Sequence, residues 1–212
     1  VSEGPWENRK MKNRELGGKT LGLIGLGQIG KTVARYSVSL GMKVQYFDVV
    51  RQHETETELG LGYAFPETLL KTSGIVSYHV PITQYTRGII NRRSLSIMKK
   101  DAVLINAARG ELQNEEDLHQ ALVEGTLSGA GLDVFQQEPI QEDSPLRKLE
   151  NIVLTPHSAP SRESYPRAVR HAVENVFRLK DKEPLLGLAL DHHQRAKDFH
   201  QQNPEVDLML PN

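Results

Sequence analysis

The segment TLGLIGLGQIGKTVARY, residues 20–36, constrains the possible folds more than any other stretch of the chain. A short β-rich apolar run, Thr20 to Ile24, leads into a glycine-rich turn, and the turn opens a stretch from Ile29 to Leu40 with helical apolar spacing. Gly25, Gly27 and Gly30 stand in G-x-G-x-x-G register. The first glycine permits a tight turn, the second lets the backbone approach a pyrophosphate, and the third lets the helix close onto the strand. The first turn of such a helix carries unpaired N–H groups that suit an anion. A glycine-rich turn by itself can simply join a strand to a helix. Here a second apolar run, KVQYFD, ends in Asp48, eighteen residues past Gly30, where an acidic side chain accepts hydrogen bonds from the ribose hydroxyls of an adenosine. Strand, turn and distal Asp together predict a dinucleotide site. Asp48 would repel a 2′-phosphate that the nearby Arg51 could otherwise meet, so the predicted cofactor is NAD(H).

The same alternation continues along the chain. Apolar runs at Lys43 to Phe47, Ile75 to His79, Ala102 to Asn106, Ala130 to Val134 and Ile152 to Leu154 read as buried parallel strands. Between them, Glu115 to Glu124, with Asn114 as its N-cap, and Arg162 to Leu179 read as helices, and Pro66, Glu67, Leu69 and Leu70 as a short one. The pattern predicts an α/β fold, a Rossmann-type doubly wound parallel sheet. Residues 1–18 read as a lead-in, 19–188 as the dinucleotide-binding domain and 189–212 as a polar tail, either a loose extension or an arm packed on something else. A formal net charge of -1 argues against a nucleic-acid footprint, and no apolar run approaches a membrane span. The absence of cysteine removes disulfides and thiolate chemistry and is compatible with a reducing compartment. The expectation is a cytoplasmic protein with a small-molecule partner, no nucleic acid, no membrane and no metal; His192, His193 and His200 have no cysteine or acidic cluster framing them.

A second set of polar residues falls at the ends of the later runs: His79, Val80 and Pro81 in YHVPITQYT, Arg109 in LINAARGEL, Asp133 and Glu138 in GAGLDVFQQEP, and His157 in IVLTPHSAP. Open α/β sheets place their ligand crevice there. Singly, a surface arginine, a loop acid or a turn histidine needs no functional explanation. In this order, however, the segments from about Trp6 to Leu179 resemble the successive signatures of the D-isomer-specific 2-hydroxyacid dehydrogenases, and GGKTLGLIGLGQIG is most similar to the phosphoglycerate dehydrogenase branch. The resemblance implies a catalytic set of Arg109, Glu138 and His157. Arg109 would bind the substrate carboxylate with its planar guanidinium. His157 would exchange the proton, and Glu138 would hold its tautomer. The resemblance also implies cofactor contacts at Gln28 and Ile29 beside the pyrophosphate, and at Val80, Pro81, Thr86, Ala107, Ala108, Asp133 and His157. His79 is given no chemical role and is expected to pack or hydrogen-bond at its strand end.

The sequence departs from the family pattern in three places. Ser158, Ala159 and Pro160 follow the histidine where small residues, often a glycine, are usual. Gln113 and Asn114 replace a more usual apolar and acidic pair, read here as a local capping difference. Family members also build a substrate domain mainly from about a hundred residues preceding this half, and no such stretch is present, so an N-terminal substrate domain is apparently absent. The expectation is the NAD-binding part of an enzyme acting on a small 2-hydroxy or 2-oxo acid, forming a homodimer as the family does through this domain. The alternative is a naturally short, corepressor-like module that senses NAD(H).

Overall fold

The computed structural model describes residues 15–158, 165–183 and 192–206. Seven strands, β1 (Thr20–Ile24), β2 (Lys43–Phe47), β3 (Gly62–Tyr63), β4 (Ile75–Tyr78), β5 (Val103–Asn106), β6 (Gly129–Leu132) and β7 (Ile152–Leu154), alternate with helices α1 (Gln28–Ser39), α2 (His53–Leu59), α3 (Pro66–Thr72), α4 (Arg92–Ser96) and α5 (Glu115–Val123). Helices α6 (Tyr165–Lys180) and α7 (His192–Gln202) follow the last strand. All pairings are parallel, in the order β3-β2-β1-β4-β5-β6-β7. The chain winds outward from β1 to β3, then returns to β4 on the other side of β1. That reversal opens a crevice at the carboxyl ends of β1 and β4, where open α/β sheets bind ligands.

Side-chain alternation explains why both faces are covered. Leu21 and Leu23 of β1 join Val44, Tyr46 and Ala34 of α1 in one core, whereas Ile24 points into the other with Leu70, Val76, Leu104 and Leu118. Leu23 and Leu104 are fully buried, each contributing on the order of 1.5–3 kcal/mol of transfer free energy. The doubly wound parallel sheet expected from the sequence is the observed fold.

Element ends differ by one or two residues from the sequence reading. His79 lies just beyond β4, Ala102 just before β5, and Asp133 just beyond β6. Asn114 caps α5 as expected, its Oδ1 accepting from the amides of Glu116 and Asp117 at 3.1 Å each. Three elements escaped the apolar pattern. Helix α2, HETETEL, has almost no apolar face and ends on Gly60 in the left-handed region; α4 is a short helix set by an Asn91–Ser94 capping box; β3 is only two residues long. The start expected for the long helix, residues 162–164, lies outside the described residues, as does Pro160. Part of the polar tail is ordered helix: α7 buries Ala196 and stacks Phe199 edge-on against Phe47, with ring centroids 5.4 Å apart. Only two apolar residues anchor that turn of helix, too few to give a periodic signal in sequence.

Candidate functional site

At the amino-terminal half of the crevice, the glycine turn has the shape a pyrophosphate needs. Gly25 adopts a φ of 99°, and a Cβ there would lie 2.7 Å from the His79 carbonyl oxygen. A Cβ on Gly30 would sit 2.4 Å from the Gly25 carbonyl oxygen, so only glycine lets α1 approach the turn this closely. A Cβ on Gly27 would meet nothing within 4 Å. The space beside Gly27 is therefore open, and no side chain caps the first turn of α1 that Gln28 and Ile29 begin. These features fit a bound diphosphate.

Asp48 stitches the end of β2 to this turn. Its Oδ2 accepts from the Leu26 amide at 2.7 Å and its Oδ1 from the Val50 amide at 3.0 Å, and each carboxylate oxygen retains a further acceptor position. The following loop is fixed by a network that the sequence did not reveal. Tyr46 Oη, buried, donates to Glu56, while Arg51 grips the same carboxylate through Nε at 2.9 Å and Nη2 at 3.1 Å. The Arg51 guanidinium, with the Tyr46 hydroxyl second, holds the Glu56 carboxyl down at about 2. Arg51 also lies over the Tyr63 ring, 4.9 Å from its centroid, so this cation is committed within the fold.

Val80, Pro81 and Thr86 line the cavity that runs from the glycine turn past Asp48. Thr86 shapes its wall, donating from Oγ1 to the Pro81 carbonyl at 2.7 Å and accepting from the Thr83 amide at 2.7 Å. His79 lines the same cavity, and its Nε2 meets Ser77 Oγ at 3.0 Å. Burial pushes the His79 imidazole down to about 4 from its ordinary 6.5, so it is neutral at physiological pH. The unfolded chain takes up this proton first as pH falls. Folding stability carried by neutral His79 is therefore present above about 6.5 and lost towards pH 4, by at most about 3 kcal/mol. We expect His79→Gln to flatten the fall in thermal midpoint between those two pH values; an unchanged acid limb would show that other groups set it.

The catalytic candidates stand on the next three strand ends. Beyond β5, a buried amide network shapes the turn bearing Ala107, Ala108 and Arg109. Asn106 Nδ2 donates to the Arg109 carbonyl and to Gln113 Oε1, both at 2.9 Å, while Asn106 Oδ1 accepts from the Ala108 amide at 3.1 Å. Gln113 Nε2 in turn donates to the Val134 carbonyl at 3.3 Å, tying this turn to the one beyond β6. The reading of Gln113 as a capping variation is corrected here: Asn114 caps α5, but Gln113 is fully buried and acts across the fold. A Cβ on Gly110 would fall 1.9 Å from the Phe135 carbonyl oxygen, so the residue after Arg109 must be glycine for the two turns to touch.

Asp133, almost fully buried, anchors the turn after β7, with Oδ1 accepting from Thr155 Oγ1 at 2.5 Å and from the Ser158 amide at 3.0 Å. The next residues place His157 at a φ of 50°. Its Nδ1 lies 2.7 Å from Glu138 Oε2, and Glu138 Oε1 accepts from the Phe135 amide at 3.0 Å. The His157 hydrogen bond, and secondarily that amide, hold the Glu138 carboxyl below its usual range. An ionised carboxylate only accepts, so Nδ1 carries the proton and Nε2 is the nitrogen left for a substrate. Ala107, Ala108, Asp133 and His157 do not line the cavity around Asp48; they stand beyond the carboxyl ends of β5, β6 and β7.

Residues 1–159 match the family model described as "D-isomer specific 2-hydroxyacid dehydrogenase, NAD binding domain". The chain belongs to that family. A glyoxylate reductase from Korarchaeum cryptofilum is 44% identical over 85% of this chain and 56% of its own length. A D-3-phosphoglycerate dehydrogenase from Methanocaldococcus jannaschii is 39% identical over 84% of this chain and 35% of its own. Among solved structures, D-lactate dehydrogenase with NAD+ from Lactobacillus jensenii superposes with a TM-score of 0.75 at 31% identity, covering 87% of this chain and 59% of that one. This NAD-binding domain thus spans little more than half the length of the glyoxylate reductase it matches. Helices α6 and α7 lie beyond the residues matched by the family model. Among the described residues, no helix is long and apolar enough to cross a membrane.

Proposed function

We propose that this domain, residues 19–188 with the tail helix docked upon it, forms the cofactor-holding wall of an oxidoreductase that interconverts a small 2-oxo acid and its D-2-hydroxy acid. The observation that carries the reading is the Glu138–His157 pair, 2.7 Å apart on the turns that follow β6 and β7, next in the sheet to β5, whose turn bears Arg109. When bound, NADH supplies the hydride. Arg109 binds the substrate carboxylate bidentately and orients the adjoining carbonyl. In reduction His157 acts as the imidazolium, delivering its Nε2 proton to the developing alkoxide while Glu138 holds the Nδ1–H; in oxidation the neutral ring, kept as the Nδ1–H tautomer by Glu138, takes the proton back at Nε2. The opposing wall is proposed to come from the part of the enzyme that the relatives carry beyond the matched half. Glyoxylate reductase and D-lactate dehydrogenase are named for small acids of this class, which sets the size of the proposed substrate.

The assigned cofactor preference follows from Asp48. It presents two carboxylate oxygens beside the glycine turn, and the cation that could greet a 2′-phosphate, Arg51, is held by Glu56. Fluorescence titration should therefore give NADH at least about ten-fold tighter than NADPH, with Asp48→Ala narrowing the gap, since one lost charge–charge repulsion is worth on the order of 1 kcal/mol or more in a partly dry site. Equal or tighter NADPH binding would remove Asp48 from that role. The reaction itself is tested by NADH oxidation in the intact enzyme with glyoxylate, pyruvate and larger 2-oxo acids; no oxidation with any of them would overturn the reading.

A further inference from the structure

Helix α7 lies outside the stretch matched by the family model, yet Arg195 and Ala196 complete the wall of the cavity that opens at the glycine turn. Two ring contacts dock the helix there. Phe199 stacks on Phe47, the residue before Asp48, and His200 lies 5.6 Å from Tyr85 in the loop shaped by Thr86. Residues 195, 196, 199 and 200 share one helical face, and that face is turned to the nucleotide cavity.

The charges around the cavity are unequal in their partners. Among the described residues, Asp48 is the only anionic one that lines it, and both its oxygens already accept backbone amides. Arg195 is the only permanently cationic one among the described residues. Arg35, Arg51, Arg92 and Arg178 each pair with a carboxylate, but Arg195, only partly exposed, makes no ion pair or hydrogen bond among the described residues. A half-buried guanidinium without an anion is an unfavourable arrangement that a ligand anion would relieve. NAD(H) brings a diphosphate to the neighbouring glycine turn, and a planar fork of N–H donors matches phosphate oxygens.

We propose that Arg195 is a cofactor-binding residue: its guanidinium pairs with the diphosphate of NAD(H), and α7 straps the adenosine half of the cofactor into the cavity. The inference rests on the NAD-binding assignment and adds to it a contact from outside the matched domain. Phe199 and Ala196 hold the strap; Arg195 gives it charge recognition.

Calorimetric titration of the full chain with NADH, ADP and adenosine tests this, on wild type, Arg195→Ala and Arg195→Lys, at low and moderate salt. Thermal midpoints verify that each variant is folded. Arg195→Ala should weaken NADH and ADP by about ten- to a hundred-fold, as loss of a charge-assisted hydrogen bond does. Adenosine, which carries no phosphate, should bind wild type and variant within about two-fold of each other, Arg195→Lys should recover part of the loss, and the salt dependence of ADP binding should diminish in Arg195→Ala. Unchanged ADP affinity in Arg195→Ala overturns the proposal. So does an equal loss for adenosine, which would mean altered shape rather than lost charge, and so does tighter binding, which would make α7 an obstacle. If wild type itself binds no NADH, the NAD-binding assignment fails, an outcome separate from all of these.

Discussion

His157→Ala in the intact enzyme is expected to lower kcat for 2-oxo acid reduction by about 10²–10⁴-fold, the usual worth of a positioned acid or base. The affinity for NADH should change little. The two effects separate because the residues that serve them are separate in space. The glycine turn, Asp48 and the Thr86 loop line one cavity, while His157 stands on the turn after β7 and is not part of its lining. Its ring is placed by two independent ties: Asp133 fixes the backbone through Thr155 and the Ser158 amide, and Glu138 fixes the imidazole through Nδ1. Removing the ring ends the tie to Glu138 but leaves the Asp133 tie that holds the turn, so the loss should fall on proton transfer rather than on folding. Steady-state kinetics with calorimetry on the same preparation reads both quantities. Turnover equal to wild type would take His157 out of the mechanism, and a parallel collapse of NADH binding would reassign it to the cofactor.

The parts of this domain that the sequence revealed are those whose signal is local. Gly25, Gly27 and Gly30 sit within six residues, each answering to a steric demand of one turn, and Asp48 follows at a spacing dictated by one helix and one strand. The alternating apolar runs revealed the doubly wound sheet for the same reason. What stayed hidden depends on approach across the fold. Asn106 and Gln113 look like ordinary polar residues until β5 and the turn after β6 come together, and only then does Gln113 reach the Val134 carbonyl. Arg51 reads as a free cation until α2 brings Glu56 against it. Helix α7 is the extreme case, because its position is set by Phe47 and Tyr85, more than a hundred residues earlier in the chain. A histidine such as His79 was recognisable as a packing residue, but its lowered titration follows from burial beside the turn, which one sequence cannot display.

A polypeptide of these 212 residues is expected to fold and bind NADH, yet to reduce 2-oxo acids very poorly. The sheet has a core on each face, and the residues around the glycine turn, Asp48 and the Thr86 loop belong to one continuous stretch, so neither folding nor cofactor binding calls for another domain. Catalysis makes a different demand. The reacting atoms must be held about 3–3.5 Å apart, and well-oriented groups gain effective molarities of roughly 10⁵–10⁸ M that a loosely held substrate forfeits. Here the side chains of His157 and Glu138 are 44% and 38% exposed, and Arg109 is exposed as well, so water screens the ion pair that should orient the substrate carboxylate. Helix α6, which follows them, presents Val169, Val173, Val176 and Phe177 with half or more of each surface open, a stripe that no described residue covers. One wall can bind the cofactor but cannot fix a two- or three-carbon acid between hydride and imidazole. Against an enzyme with both walls, kcat/KM should therefore fall by several powers of ten, on the order of 10⁵ if the whole orientational advantage is lost. Calorimetry with NADH and spectrophotometric NADH oxidation over a panel of small 2-oxo acids, on one purified sample, give the two numbers. Tight NADH binding with negligible oxidation is the expected pair. Robust oxidation by this polypeptide would show that the crevice is already closed, by the tail beyond α6 or by a second copy of the chain, and the proposal that another domain supplies the opposing wall would be wrong.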